Sequence, residues 1–329
     1  MNGQYKITSH IIGKGSFGIV KLGLDQTNKK LVAIKTEAKG KSKSLLTHEN
    51  SIIKSFHSIK GNRGIEGIEG DAGIVHSRYF WEDKDNYYLV LDLMGPSIDA
   101  LHKLCSRSFS LKTTLALARQ MLDLIHFYHK HDIIHRDIKP SNFLMNYTVP
   151  HTYVSLIDFG LAKRYRVNGK HIPFSTGSAQ VGSLRYMSKH VHSSIEPSCR
   201  DDLYSLGYCL IFMFTGLLPW QSETITKMNK AERKQYVAKL KRETSNNDLV
   251  RNCKCLDCIK SGAGSKCSFA GIMLKYFNYL DQLDYDTPID YDSLKTMLQQ
   301  CQKDHGYTDG VCNWDWQKYY IISSASTGI

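Results

Sequence analysis

The chain has 329 residues, and 42% of them are apolar, enough for a globular core of one or two domains. Its formal net charge of +12 favours acidic partners, but no run of lysine and arginine is long enough for a nucleic-acid-binding arm, so we expect no nucleic-acid partner. The most apolar stretch, residues 203–220, is broken by polar residues, Gly and Pro, so it predicts a buried helix and not a membrane span.

The N-terminal part alternates short β-prone runs with turns. Strands are predicted over residues 5–12, 19–24, 31–35, 73–81 and 87–92. Only residues 44–59 predict a helix there, because Ile52, Ile53 and Phe56 recur at helical spacing.

A glycine-rich motif, GKGSFG over residues 13–18, lies between the first two predicted strands. In a dinucleotide-binding fold such a motif would open a helix, but here a strand follows it. This context favours a hairpin over the phosphates of ATP, since glycine lets backbone N–H groups approach phosphate oxygens closely. We therefore assign Gly13, Gly15, Ser16 and Gly18 to ATP binding.

A VAIK motif places Lys35 on the third predicted strand, where it would hold the α- and β-phosphates of ATP. Glu49, on the predicted helix, would hold Lys35 by an ion pair. Further residues are predicted to surround the adenine ring, as apolar walls or through the backbone of a hinge: Ile12, Val20, Ala33, Leu91, Asp92, Leu93, Met94, Leu144 and Ile157.

The character of the chain changes after Gly95 and Pro96, where long amphipathic segments begin. Helices are predicted over residues 111–131, 200–215, 231–243 and 291–305. The pattern indicates an α+β, bilobal architecture with a small β-rich lobe at 1–94 and a larger helical lobe at 95–320, the ATP cleft lying between them. Residues 321–329 are a short tail.

Two motifs predict the chemistry: HRDIKPSNFL at residues 135–144 and DFG at 158–160. Asp137 would align and deprotonate a hydroxyl group, and Lys139 would place a cation on the migrating phosphate. Asn142 and Asp158 offer oxygen ligands for Mg²⁺. With the glycine-rich and VAIK motifs, this set predicts a protein kinase fold and ATP-dependent phosphoryl transfer, with Mg²⁺ as the metal and Mn²⁺ as a substitute.

Further segments resemble the casein kinase I family over nearly the full chain. The similarity is carried by LMGPS at 93–97, RSFSLKT at 107–113, HIP at 171–173, RDDLYSLGY at 200–208 and LPWQ at 218–221. Most kinases carry Ala-Pro-Glu after the activation segment, whereas this family carries Ser-Ile-Asn. The chain has Ser188, Lys189 and His190 there, and the last two depart from the family pattern.

The resemblance implies transfer to Ser or Thr of proteins, at sites near acidic or phosphorylated residues. Arg185 matches a family arginine that binds the upstream anion, and Lys234 or Arg233 would supply a second cation. A third family lysine aligns with Ser178 here, which weakens the expected preference for primed sites. The resemblance also implies activity without activation-loop phosphorylation. Asp202 matches the buried aspartate that holds the catalytic loop.

Two insertions depart from the family. Residues 61–71 lengthen the connection after the predicted Glu49 helix, without an assigned role. Cys253, Cys255, Cys258 and Cys267 lie in an extended loop, where they would be free thiols or bind Zn²⁺.

Nine cysteines and an N-terminus without a signal-peptide pattern predict reduced thiols in the cytoplasm or nucleus. We expect a monomer. Two alternatives stay open: a kinase similar to vaccinia-related kinases, and a pseudokinase scaffold that binds partners without catalysis. The intact set of Lys35, Glu49, Asp137, Asn142 and Asp158 argues against the scaffold.

Overall fold

A computed structural model describes residues 3–15, 18–40, 43–57, 73–146, 153–253, 269–307 and 314–319. The chain divides into two compact units. The β-rich unit comprises residues 1–96 and 143–162, and the helical unit comprises 97–142 and 163–329. Some predicted features lie outside the described residues: Ser16, the insertion at 61–71, Cys255, Cys258, Cys267 and the tail at 321–329.

The β-rich unit is built on an antiparallel sheet of five strands in the order β1-β2-β3-β5-β4. The strands are β1 Tyr5–Gly15, β2 Gly18–Asp25, β3 Leu31–Ala38, β4 Ser77–Glu82 and β5 Asn86–Asp92. Val32, Ile34 and Val90 are buried on one face of the sheet with Tyr5. The short β-prone runs between turns that predicted the strands correspond to the strands of this sheet.

The predicted strand at 73–81 was too long at its start. The strand begins at Ser77, and Gly73 has a left-handed backbone with φ of 91°. Ile74 and Val75 are buried without pairing into the sheet. They looked like strand residues because burial selects the same apolar, β-branched side chains as a strand does.

Helix α1, Leu45–His57, is placed by a carboxylate from the neighbouring strand β3. Glu37 is buried, and its Oε2 accepts hydrogen bonds from the Leu46 N–H at 2.8 Å and from the Ser44 hydroxyl at 2.9 Å. The first turn of the helix has no acidic residue of its own. Glu37 therefore satisfies N–H groups that a helix start leaves unpaired, and sets the position of Glu49.

A second small sheet of the β-rich unit pairs β7 Phe143–Met145 with β8 Val154–Leu156. The Gly95 N–H donates to the Met145 oxygen at 2.8 Å, and the Met145 N–H donates to the Pro96 oxygen at 3.0 Å. These two bonds hold β7 beside the predicted hinge. A 3₁₀ turn, Phe159–Leu161, follows β8.

The helical unit contains the remaining described elements. Its helices are α2 Ile98–Leu104, α3 Leu111–Lys130, α4 Lys189–His192, α5 Cys199–Thr215, α6 Glu223–Lys227, α7 Lys230–Glu243, α8 Asn246–Val250, α9 Phe269–Asp281 and α10 Tyr291–Asp304. Its short strands are β6 Ile133–Ile134, β9 Lys163–Arg164, β10 Arg166–Val167 and β11 Lys170–His171. The four helices predicted by periodicity are confirmed by α3, α5, α7 and α10.

The core of the helical unit is formed around α3 and α5. Helix α5 is buried almost throughout, and at Gly207 an added Cβ would come within 2.6 Å of the Phe277 ring, so α9 packs directly on its backbone. The apolar stretch 203–220 is not one helix, because Gly216 has φ of 81° and ends α5. Among the described residues, no helix is long and apolar enough to cross a membrane.

Candidate active site

The glycine-rich motif forms a tight hairpin between β1 and β2, in which Gly15 pairs with Gly18 and Gly13 with Val20. A Cβ on Gly18 would lie 2.0 Å from the Thr36 oxygen, so no other residue fits there. Strand β2 begins at Gly18, so a strand and not a helix follows the motif. The predicted hairpin is present, and its binding of phosphate stays a prediction.

Most of the residues predicted to contact adenine lie on the central strands of the sheet or just after them. Val20 pairs with Lys35, and Ala33 pairs with Leu91. Leu93 and Met94 follow β5, while the side chain of Asp92 is occupied by an ion pair with Arg78. The rest are placed as follows: Ile12 is exposed on β1, Leu144 is partly buried on β7, and Ile157 is partly buried after β8.

Lys35 joins two carboxylates within the β-rich unit. Its Nζ lies 2.7 Å from Glu49 Oε2 and 2.6 Å from Asp158 Oδ1. Burial alone would lower the pKa of Lys35, but the two carboxylates outweigh burial and raise it above its usual value. The predicted Lys35–Glu49 pair is present, and Asp158 joins it although 123 residues separate Asp158 from Lys35.

Helix α1 also fixes the DFG segment. The Phe159 N–H donates to Glu49 Oε1 at 3.2 Å, and the Phe159 ring packs edge-on against Phe56 with centroids 5.6 Å apart. Asp158 has a left-handed backbone with φ of 70°, a conformation that a non-glycine residue keeps only when its surroundings hold it. The same helix thus positions both carboxylates around Lys35.

Asp137 is the centre of a second cluster, in the helical unit. Lys139 Nζ lies 2.5 Å from Asp137 Oδ2, and the Ser183 hydroxyl donates to Asp137 Oδ1 at 2.7 Å. The Asn142 amide donates to the Asp137 backbone oxygen at 3.0 Å, which fixes the direction of the Asn142 side chain. Asp137 is buried, so these bonds set the orientation of its carboxylate.

The backbone that carries Asp137 is held by Asp202 from α5. Asp202 Oδ2 accepts from the His135 N–H at 2.7 Å, and Oδ1 accepts from the Arg136 N–H at 2.8 Å. His129 Nε2 lies 2.9 Å from Asp202 Oδ2 and balances its charge. Arg136 has φ of 67°, so the loop at residues 135–142, here called the catalytic loop, has a strained backbone that these bonds stabilise.

The predicted metal ligands are of the right chemical type. Asn142 offers an amide oxygen and Asp158 a carboxylate oxygen, and hard divalent cations prefer such ligands. For zinc, the described stretches contain no group of three or more His, Cys, Asp or Glu placed to hold a metal. Cys253 is the one member of the cysteine cluster in those stretches; it is buried, and burial raises the pKa of its thiol to about 12.

Two contributors to these clusters were not recognised from the sequence. Ser183 carries no assignment in the sequence analysis, yet its hydroxyl donates to Asp137. Glu196 was not singled out, yet its carboxylate contacts Lys163 at 2.7 Å, the Ser178 hydroxyl at 3.0 Å and Arg136 at 3.8 Å. Ser183 is 46 positions from Asp137 and Glu196 is 33 positions from Lys163, so helix or strand periodicity does not indicate these contacts. The one available signal was that both lie close in sequence to Ser188, which follows the activation segment.

The predicted anion-binding residues lie on the surface of the helical unit. Arg185 is exposed, with its guanidinium 5.2 Å from the centre of the Phe212 ring. Lys234 is exposed on α7. Arg233 donates to the oxygens of Ile225 and Met228, so it stabilises the turn before α7 and is the weaker candidate for anion binding.

The β-rich unit has a lysine–glutamate–aspartate cluster, and the helical unit has a buried aspartate held by a lysine and a serine. These two clusters are typical of a phosphotransferase of the protein kinase type. A family model described as the protein kinase domain matches residues 6–303. The chain belongs to this family. The predicted α+β kinase fold is confirmed, and membership implies use of ATP and a divalent metal to phosphorylate protein substrates.

The His129–Asp202 pair generates a prediction about pH. Burial opposes a charge on His129, but Cys199 and Asp202 raise its pKa from 6.5 to about 10. The folded state therefore binds this proton more tightly than the unfolded state. The resulting stabilisation is complete below pH 6.5 and is lost as the pH rises through about 10.

We expect His129→Gln to lower the free energy of unfolding at pH 7, and the difference from wild type to shrink by ~1–3 kcal/mol at pH 9.5. Chemical denaturation at both pH values measures this. His131→Gln, a histidine substitution just past the end of the same helix, is the control and should give the wild-type pH dependence. A constant difference between His129→Gln and wild type would contradict the assignment.

Proposed function

We propose that the protein is a Ser/Thr kinase similar to casein kinase I, which uses Mg²⁺, or Mn²⁺ as a substitute, and favours sites near acidic or phosphorylated residues. The family motifs support the assignment to casein kinase I. We propose further that it acts as a monomer, and that it works in the cytoplasm or nucleus, where its nine cysteines would stay reduced.

The observation that carries the proposal is the environment of Asp137. Lys139 and Ser183 each hold one oxygen of its carboxylate, so the base is oriented before a substrate arrives. A scaffold without catalysis would not need an oriented carboxylate beside a lysine. The pseudokinase alternative therefore has weaker support than an active enzyme.

The proposed chemistry follows from this placement. A substrate hydroxyl gives its proton to Asp137 while its oxygen forms a bond to the γ-phosphorus, and the bond from that phosphorus to the β-phosphate oxygen breaks. ATP is the donor of the phosphoryl group, and a divalent metal, which Asn142 and Asp158 would hold, would neutralise part of the phosphate charge. Lys35 holds the α- and β-phosphates, and Lys139 stabilises charge on the group in transfer.

The environment of Glu196 supports activity without phosphorylation. Although burial raises its pKa, the bonds to Lys163 and Ser178 and the charge of Arg136 lower it overall, so its carboxylate is charged at neutral pH. The Glu196 N–H also donates to the Ser175 oxygen, and the Ser178 N–H donates to the Ser194 oxygen. The carboxylate of Glu196 thus contacts both the activation segment, at Ser178, and the cation Arg136. In many kinases an arginine at the position of Arg136 binds a phosphate on the activation segment instead.

The exposed Arg185 and Lys234 support recognition of an anionic substrate. Burial lowers the pKa of His192 to about 3, and the positive charges of Lys241, Lys234 and Arg242 add to that effect. Lys234 and Arg242 are exposed on α7, so this helix presents positive charge to an anionic substrate. Ser178, at the position of the third family lysine, is bonded to Glu196 and adds no cation. We therefore propose a modest preference for primed sites.

The assignment of the catalytic and metal-binding residues is tested by Asp137→Asn and Asp158→Ala. We expect Asp137→Asn to lose about 10²–10⁴-fold in kcat on casein while it still binds ATP. Asp158→Ala should also lose affinity for Mg²⁺·ATP. Radiolabel transfer and nucleotide titration measure the two effects. Turnover of Asp137→Asn near the wild-type rate would exclude Asp137 as the base, and wild-type protein without activity would favour the scaffold alternative.

Activity without phosphorylation is tested on bacterially produced, phosphatase-treated protein, which should phosphorylate casein. Glu196→Gln should lower its kcat about 3- to 30-fold, because one charge-assisted hydrogen bond is weakened. Glu243→Gln changes an exposed glutamate of α7 and serves as the control. A strict requirement for phosphate on Ser175, Thr176 or Ser178 would contradict the role of Glu196.

Anion recognition is tested with matched peptides that differ in one upstream phosphoserine. We expect Arg185→Ala to lower kcat/KM for the primed peptide up to about tenfold more than for the unprimed peptide, with a difference that shrinks as salt rises. Lys239→Ala, which removes an exposed cation from α7, should affect both peptides little. Equal losses on both peptides after Arg185→Ala would indicate that Arg185 only braces its loop.

A further inference from the structure

Helix α7 carries one lysine that differs from its neighbours in its environment. Lys241 is 3% exposed, whereas the side chain of Lys239 is 60% exposed and Arg242 is also at the surface. From the sequence all three belong to one run of basic residues on an amphipathic helix. A fully buried lysine is costly unless its ammonium group is bonded on every side, so its partners indicate what it does.

The ammonium group of Lys241 is bonded to three backbone oxygens within one short segment, residues 184–187. Its Nζ donates to the oxygens of Leu184 at 2.9 Å, Arg185 at 2.9 Å and Met187 at 2.6 Å. A protonated lysine has three N–H donors, and here each has an acceptor. Burial lowers the pKa of Lys241, while the three oxygens stabilise its charged form.

Two aromatic rings complete the surroundings of the ammonium group. Nζ lies 4.7 Å from the centre of the Trp220 ring and 5.0 Å from that of Tyr208. The Trp220 indole N–H itself donates to the Arg185 oxygen at 2.8 Å. Arg185 therefore has its carbonyl held twice, by Lys241 and by Trp220, while its guanidinium remains at the surface.

The segment held by Lys241 leads directly to the catalytic aspartate. Ser183, one residue before Leu184, donates to Asp137 Oδ1 at 2.7 Å. Gly182 has φ of 96°, and an added Cβ there would lie 2.4 Å from the Arg136 oxygen, so the segment also contacts the catalytic loop. Residues 182–187 are thus held at one end by the catalytic loop and at the other by Lys241.

From this arrangement we infer that Lys241 is a positioning residue, which fixes residues 183–187 so that Ser183 orients Asp137 toward the substrate hydroxyl. The inference deepens the proposed kinase function and rests on it. It places Lys241 in the phosphoryl-transfer step and not in ATP binding, because Lys35, Glu49 and Asp158 are held by other contacts. Loss of Lys241 should lower kcat and leave the affinity for ATP unchanged.

The test begins with Lys241→Met, which keeps the length of the side chain and removes its charge. We expect kcat on a serine peptide to fall about 10- to 100-fold and the Kd for ATP to change less than about twofold. Lys239→Met changes the exposed lysine of the same helix and should retain wild-type kinetics. Equal loss of ATP binding and turnover in a folded Lys241→Met protein would overturn the inference.

A double-mutant cycle separates positioning from a general structural role. If Lys241 acts through Ser183, then adding Lys241→Met to Ser183→Ala should cost less than about threefold further in kcat. Multiplicative losses would overturn the inference. Should Lys241→Met not fold, Trp220→Phe removes the hydrogen bond to the Arg185 oxygen and reduces the ring surface beside Lys241. Its smaller loss in kcat should be non-additive with Ser183→Ala in the same way.

Hydrogen exchange gives a measurement that needs no substrate. Amide exchange over residues 183–187 should accelerate about tenfold or more in Lys241→Met, or in Trp220→Phe, and stay at the wild-type rate in Lys239→Met. Unchanged exchange in the first two variants would overturn the inference. If the wild-type protein phosphorylated no serine peptide, the proposed function would fail, while the exchange data would still decide whether Lys241 holds this segment.

Discussion

The carboxylate of Asp202 is the interaction on which the active-site geometry depends. It is buried in the helical unit and accepts hydrogen bonds from two consecutive backbone N–H groups, those of His135 and Arg136. Because Arg136 has a left-handed backbone, the loop would relax to another conformation without these bonds. The charged His129 makes it favourable to keep this carboxylate ionised away from water.

The same physical principle recurs in each cluster. Several charged side chains with little access to water are paired with groups that also position a residue of the candidate site. Lys35 is paired with Glu49 and Asp158, and Glu196 with Lys163 and Arg136. Lys241 differs from these residues because its partners are backbone oxygens and aromatic rings and not carboxylates. Separating the two partners of such a pair would leave a charge with little access to water, which is costly. The pairs therefore favour the single geometry in which the partners stay in contact.

The fold was predictable where a pattern is local. The helical spacing of apolar residues predicted α1, α3, α5, α7 and α10 to within a few residues, and short β-prone runs between turns predicted the five strands of the main sheet. The errors lie at residues 73–76 and 217–220, where buried apolar residues do not continue the element they resemble. Gly73 and Gly216 adopt backbone conformations with positive φ there, which end the regular pattern.

The sequence by itself determined the kinase class, because phosphoryl transfer requires particular residue types at short, fixed spacings, such as Asp137, Lys139 and Asn142 on one loop. Only the tertiary structure decided how those residues are held. Ser183 reaches Asp137 across 46 positions, and Lys241 reaches Leu184 across 57. Contacts between residues so far apart in the chain depend on how whole helices and strands pack. In a run of basic residues, the sequence also does not distinguish a buried lysine from an exposed one.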